Sequence, residues 1–286
     1  TVDERAGGAS DHRARDRDAL LADITPPELR GRAFGLRQSM DTWGAVAGPA
    51  LAIAFMAYWQ NLQMALWVAV VPAFITLACI IFLVPDVRSA PRPSVSPLSF
   101  AGIRALGGSF WWVALLGFCL SLTRFSEAFL LLRVQQQGLA TAWVPGVLIL
   151  MSAVYALGAY PAGIAADRFS KKRVLLMGVL VMGLANTFLA FSNSLWGVGL
   201  GIIFWGLHMA LTQGLMSHMV ADVAPSSLKA TAFGFFNLTT AIALILASTA
   251  AGILWDKVGP AGPFWFGLGG CGFMLVVMVC LRKRIA

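Results

Sequence analysis

Eight stretches of this chain are apolar for long enough to cross a bilayer. They are roughly residues 32–57, 62–84, 109–134, 143–166, 173–192, 195–221, 229–255 and 260–281. Crossing ~30 Å of hydrocarbon takes about 20 helical residues, and a backbone in lipid must satisfy its own polar groups. The expected fold class is therefore all-α, a polytopic membrane helical bundle with eight transmembrane helices. Composition agrees: 58% of residues are hydrophobic and 12% charged, where about a quarter charged is usual in soluble domains. The net charge of +8 shows no basic stretch interleaved with aromatics. Nucleic acid is thus not an expected partner, and the lipid bilayer is. Cys79, Cys119, Cys271 and Cys280 all fall in apolar runs without a CxxC pair, and read as small buried hydrophobes with no metal or cofactor role.

A second feature sets the organisation. Residues 22–35, ADITPPELRGRAFG, align without a gap on residues 221–234, ADVAPSSLKATAFG, at an offset of 199. Seven of the fourteen columns are identical: Ala22/Ala221, Asp23/Asp222, Pro26/Pro225, Leu29/Leu228, Ala33/Ala232, Phe34/Phe233 and Gly35/Gly234. Arg30 and Lys229 keep charge in an eighth. Each copy reads as a polar loop that ends one helix and opens a long apolar one, and a repeat this widely spaced implies two similar halves. Only 21 residues precede the first copy, so equivalent halves would leave most of the first half missing.

Residues 85–107 carry four prolines and three arginines, a linker composition that divides two spans from six. Basic residues alternate by loop. Arg30 and Arg32, then Arg88, Arg92 and Arg104, then Arg168, Lys171, Lys172 and Arg173, then Lys229, then Arg282, Lys283 and Arg284 all fall on one side. The other side has only Arg133 and Lys257 near helix ends. The positive-inside rule makes the first side, with both termini, cytoplasmic. The domains expected are a polar N-terminal remnant (1–21), two helices (22–84), a cytoplasmic linker (85–107) and a complete six-helix half (108–286).

Ionisable residues inside spans are the leading site candidates. Arg37 and Asp41 are four apart on the first span, with Asp41 about 15 Å from a helix start near Gly31. Arg124 and Glu127 are three apart on the third span and are expected to share a face. Each pair reads as an acid held beside a base for proton exchange or as a structural ion pair that fixes helix register. His208 falls near mid-membrane, where its titration range suits proton coupling, though a hydrogen-bonded histidine inside a bundle reads the same way. Gln213 shares its span, and His218 near the cytoplasmic end is expected to contribute little. Asn237, Thr239, Thr240 and Asn186 either line a cavity or bond between helices. Trp111, Trp112, Trp143, Trp196 and Trp265 read as interfacial anchors.

Two motifs carry a resemblance. Residues 163–173, GIAADRFSKKR, resemble the cytoplasmic signature of the major facilitator superfamily, G-x-x-x-D-R/K-x-G-R-R/K. Gly163, Asp167, Arg168, Lys171 and Lys172 match, and Ser170 stands at the second glycine. There a carboxylate at Asp167 can face a helix N-terminus, and Arg168 and Arg173 are expected to pair with Asp222, locking one alternating-access state. In the first span Gly44, Gly48 and Pro49 match GxxxGP, similar to the helix-5 signature of proton-coupled drug antiporters in that superfamily. Ala52 and Ile53 replace its closing glycines. The two glycines are expected to admit a close neighbouring helix, and Pro49 to kink its own. The phrases RGRAFGLRQSMDTWGA, TRFSEAFLLLR and GLHMALTQGL also look like a bacterial subgroup of the family. That subgroup usually runs into PRDAL, of which Arg17, Asp18, Ala19 and Leu20 remain here.

The resemblance implies a twelve-helix fold of which this chain supplies helices 5–12. It implies a small-molecule substrate and protons as partners, proton-coupled export by alternating access across the bacterial inner membrane, and no cofactor. With helices 1–4 absent, the chain alone is expected not to transport, and those helices would be needed as partners. The alternative is a non-transporting scaffold or sensor derived from a carrier. Enzyme activity is not expected, since the chain holds no HExxH, no GxSxG and no paired aspartates in its spans. If the half-symmetry holds, Asp167 should lie beside residues 29–35, and Arg37 and Glu127 should face inward.

Overall fold

The computed structural model describes residues 17–59, 105–140 and 143–280, with isolated positions between 67 and 82. The expected second span, most of the 85–107 linker, residues 1–16 and the basic tail lie outside the described residues. Among the described residues there are helices and no strands. Helix α1 spans Arg17–Ile24 and crosses the expected boundary at residue 21, and a 3-10 turn follows at Pro27–Leu29. Then come α2 (Arg30–Trp59), α3 (Gly108–Leu122), α4 (Ala128–Gln136), α5 (Val144–Arg168), α6 (Lys171–Phe191), α7 (Leu195–Val223), α8 (Lys229–Val258) and α9 (Gly262–Cys280). Five of these are long and apolar enough to cross a membrane, within α5, α6, α7, α8 and α9. The 30 residues of α2 would reach about 45 Å.

Local chemistry sets the boundaries. Ser170 accepts from the Arg173 N–H at 3.4 Å to open α6, and Ser194 accepts from the Gly197 N–H at 3.2 Å to open α7. Gly259, at φ 104°, ends α8 in a conformation that suits a residue without Cβ.

The third span is not the continuous helix that 109–134 suggested. It stops at Leu122 and restarts at Ala128. Thr123 turns its hydroxyl back onto the Leu120 carbonyl at 2.7 Å, and the Ser126 N–H donates to Ser248 Oγ of α8 at 3.0 Å. Side-chain oxygens thus occupy backbone groups that an unbroken helix would pair, which makes irregular backbone tolerable inside a bundle. Arg124 and Glu127 therefore sit in a break, not on one helical face.

Helices α2 and α5 run antiparallel and cross at close range. A Cβ at Gly35 would lie 2.6 Å from the Ala159 carbonyl and 3.0 Å from Gly163 Cα, and one at Gly163 would strike the Gly31 carbonyl. Ser39, one turn beyond Gly35, donates to the Ala156 carbonyl at 2.6 Å. Gly31/Gly35 on α2 and Ala159/Gly163 on α5 are thus the small-residue seam. Gly44 and Gly48 are not part of it: no described residue stands within 4 Å of a Cβ built at either. Spacing identified a face able to accept a helix, and the neighbour lies a few turns nearer the N-terminus. Helix α2 continues through Pro49.

Helix α7 runs through the interior, burying Val198, Ile202, Trp205, His208, Met209, Leu215 and Met219. Leu157, Leu180, Leu184, Ile245, Ile253 and Val276 face outward, the surface expected against lipid. Cys119 and Cys271 are buried, whereas Cys79 is exposed, contrary to its expected burial; the Cys280 side chain lies outside the described residues. Trp143 and Trp196 are exposed, while Trp265 sets its edge on Phe191 at 4.4 Å.

Candidate functional site

A cavity of about 410 Å³ opens between α2, α3, α7 and α8. Six side chains singled out from sequence line it together: Arg37, Arg124, His208, Gln213, Asn237 and Thr240. Asp41 meets Arg37 at 3.5 Å from the exposed side. Arg37 makes a closer ion pair with Asp18 of α1, which also lines the cavity. Asp18 was missed because it sits in a short polar segment, not in an apolar run; its place in RDAL was the available signal. Glu127 lines a neighbouring cavity of about 550 Å³, with Arg124 on the wall common to both.

Arg124 projects from the break in the third span. With its carboxamide oxygen turned toward Arg124, an orientation assigned from the bonds it completes, Gln213 accepts from both guanidinium nitrogens, Nη2 at 3.1 Å. His208 is fully buried, and its Nδ1 lies 3.0 Å from the Gly178 carbonyl. A carbonyl only accepts, so Nδ1 carries a proton, and in the neutral imidazole Nε2 then presents a lone pair. Among the described residues that Nε2 has no partner. Thr240 also lines the cavity while bonding back to Phe236 O at 3.0 Å, and Thr239 does so at 2.9 Å outside it. Asn186 bonds within its own helix, to Met182 O at 2.9 Å, and its amide stands against Gly267 of α9.

One end of the bundle is tied by a charge network built from the repeat. Arg30 donates to Asp222 Oδ1 at 2.8 Å and reaches the Ala221 carbonyl at 3.5 Å. Reciprocally, Lys229 donates to the Ala22 carbonyl at 3.0 Å and pairs with Asp23 at 2.9 Å. Phe34 and Phe233 meet between them, ring centroids 6.1 Å apart. Columns that match in the alignment therefore touch each other in space. Sequence reasoning recognised the columns but gave Asp23, Arg30 and Lys229 no partner.

Asp167 completes this end. It is nearly buried and accepts from the Gly31 N–H at 2.7 Å and the Arg32 N–H at 2.9 Å. A carboxylate on the first free N–H groups of α2 is the arrangement a helix N-terminus favours. Gly31 is required there, since a Cβ would meet that same carboxylate. Asp222, expected to pair with Arg168 and Arg173, is held by Arg30 and Lys171, with His218 Nε2 at 3.4 Å. Arg168, the last residue of α5, and Arg173, in the first turn of α6, are exposed, while Lys171 crosses to Asp222. His218, expected to contribute little, is buried in this network. Lys172 lines the same groove, of about 1060 Å³. At the opposite end of α6, Arg133 is buried and donates to Leu189 O at 2.9 Å and Ser192 O at 3.0 Å, closing that helix terminus. Sequence had placed it only as a charge near a helix end.

The profile of the Major Facilitator Superfamily matches residues 17–153 and again 135–285. An uncharacterised MFS-type transporter of Methanocaldococcus jannaschii is 30% identical over 263 residues, covering 89% of this chain and 65% of that protein. The chain thus spans just under two thirds of that relative's length. A class H tetracycline resistance protein of Pasteurella multocida is 28% identical over 152 residues, 53% of this chain and 37% of that protein. The fold is similar to the crystal structure of a bacterial homologue of the iron transporter ferroportin in an outward-facing state, with a TM-score of 0.65 at 16% identity over 93% of this chain and 67% of that one. With the family profile matching along nearly its whole length, this chain of membrane helices belongs to the Major Facilitator Superfamily.

Proposed function

We propose that the chain is part of a secondary active transporter that exports small organic molecules by alternating access coupled to protons. In this reading 22–84 holds helices 5 and 6, 85–107 is a cytoplasmic linker, and 108–286 is the C-terminal half of a twelve-helix carrier in the inner membrane. The termini and the charge network face the cytoplasm, and the chain performs no enzymatic chemistry. The observation that carries the proposal is a polar cavity in the bundle interior whose one end is tied by reciprocal, breakable ion pairs. A pathway closed at one end by such pairs needs only their release to open there, which is the motion a carrier requires. Protons would exchange at the Asp18–Arg37–Asp41 cluster, where acids lie against a base inside the bundle. The similarity to a tetracycline resistance protein supports export.

Spin labels at Glu28 and Ser226, exposed positions flanking the network, test the reading by distance measurement in lipid nanodiscs. Two populations are expected, with the longer one enriched in Asp222→Asn and by a change of pH. One fixed distance under all these conditions overturns alternating access and favours the scaffold alternative.

A further inference from the structure

We infer that the central cavity takes an organic anion bearing a hydroxyl or N–H group close to its charge. The inference rests on reading that cavity as the substrate site. Two cationic side chains line it, and their situations differ. Arg37 is already met by Asp18 and Asp41. Among the described residues Arg124 is in none of the ion pairs, and the one hydrogen-bond partner of its side chain is the neutral Gln213. A guanidinium inside a membrane bundle without a carboxylate in contact is costly, and a bound carboxylate or phosphate would relieve that cost by a bidentate contact.

The second observation is independent. His208 is fully buried and lines the same cavity; among the described residues its Nε2 has no partner, and in the neutral ring, with Nδ1–H committed to the Gly178 carbonyl, Nε2 offers a lone pair. An acceptor in that position calls for a donor on the ligand. Phe236, Leu120 and Leu244 supply apolar wall, and about 410 Å³ falls in the range of small-molecule sites. Anion, nearby donor and apolar body together describe an aromatic or branched hydroxy acid.

Calorimetric titration of the full chain in nanodiscs with mandelate, its neutral amide mandelamide and O-methylmandelate tests this. Mandelate should bind roughly tenfold or more tightly than mandelamide, the range of a charge-assisted hydrogen bond. Arg124→Gln should erase that preference and Arg124→Lys should retain part of it. O-Methylmandelate, lacking the donor, should bind several-fold more weakly than mandelate. Equal or tighter binding of mandelamide, a preference that survives Arg124→Gln, or no binding of mandelate at millimolar concentration would each overturn the inference. A charge preference alongside a fixed Glu28–Ser226 distance would leave the anion site standing and remove the carrier reading. A moving distance without charge preference would do the reverse.

Discussion

Residues 22–35 and 221–234 share their chemistry but not their surroundings. In the first copy Gly35 is wedged against Ala159 and Gly163 of α5, while in the second no described residue stands within 4 Å of a Cβ built at Gly234. The acids differ as well. Asp222 meets Arg30, Lys171 and His218, whereas Asp23 faces Lys229, whose side chain is only 8% exposed. The identical columns thus encode a contact across a pseudo-two-fold, and the local packing of each copy is set by what lies behind it. A symmetric clasp can then be unequal in strength on its two sides.

The largest expected effect separates the two acids. Asp222 meets three basic side chains, yet Asp23→Ala is expected to destabilise more. Losing Asp23 leaves Lys229 buried without a carboxylate, a loss of about 3 kcal/mol. Losing Asp222 leaves Arg30 and Lys171 with side chains 14% and 34% exposed, able to turn to water, at about 1–2 kcal/mol. Thermal unfolding in detergent compares the two, and a larger loss in Asp222→Ala would show that the basic groups around Asp222 outweigh the burial of Lys229.

The glycines come next. A Cβ at position 35 would lie 2.6 Å from a carbonyl oxygen, so Gly35→Ala must push α2 from α5, at about 1–3 kcal/mol. Gly234→Ala should be neutral or gain up to about 1 kcal/mol, since the site is open and helical. Equal losses from both substitutions would mean that the α2–α5 seam has no special standing.

These cases show what was legible in the chain. Apolar run length marked the five membrane-length helices among the described residues, α5 to α9, and charge inside apolar runs led to Arg37, Arg124 and His208, because both signals are local. Partnership is not local. The Arg30–Asp222 and Lys229–Asp23 pairs span about 190 and 206 positions, and the alignment displayed the columns side by side without saying that they meet. The break at 123–127 left no glycine or proline as a mark; its sign was Thr123, Ser126 and a partner hydroxyl on Ser248. Gly44 and Gly48 illustrate the converse, since among the described residues no side chain or backbone comes within 4 Å of a Cβ built at either.

The basic column is not interchangeable either. Arg30 reaches Asp222, the Ala221 carbonyl and, at 3.4 Å, the Ala22 carbonyl through two nitrogens, a fork that one ammonium cannot reproduce. Arg30→Lys is expected to cost about 1 kcal/mol and to enrich the longer Glu28–Ser226 distance. An unchanged distance distribution would assign the closure to Lys171 instead.

The smallest effect concerns the aromatic pair at the centre of the clasp. Phe34 and Phe233 are each 1% exposed, and each Phe→Leu change should cost about 1 kcal/mol as a near-volume-conserving core swap. Because the rings stand 6.1 Å apart at a tilt of 38°, part of each loss is the same contact, and the double variant should fall short of the sum by about 0.5–1 kcal/mol. A double-mutant cycle measures this. Strict additivity would mean that the rings fill space independently and that the two copies are joined by their charges alone. A coupling term would mean that the apolar column, like the charged ones, persists in both copies because each side chain is the other's partner.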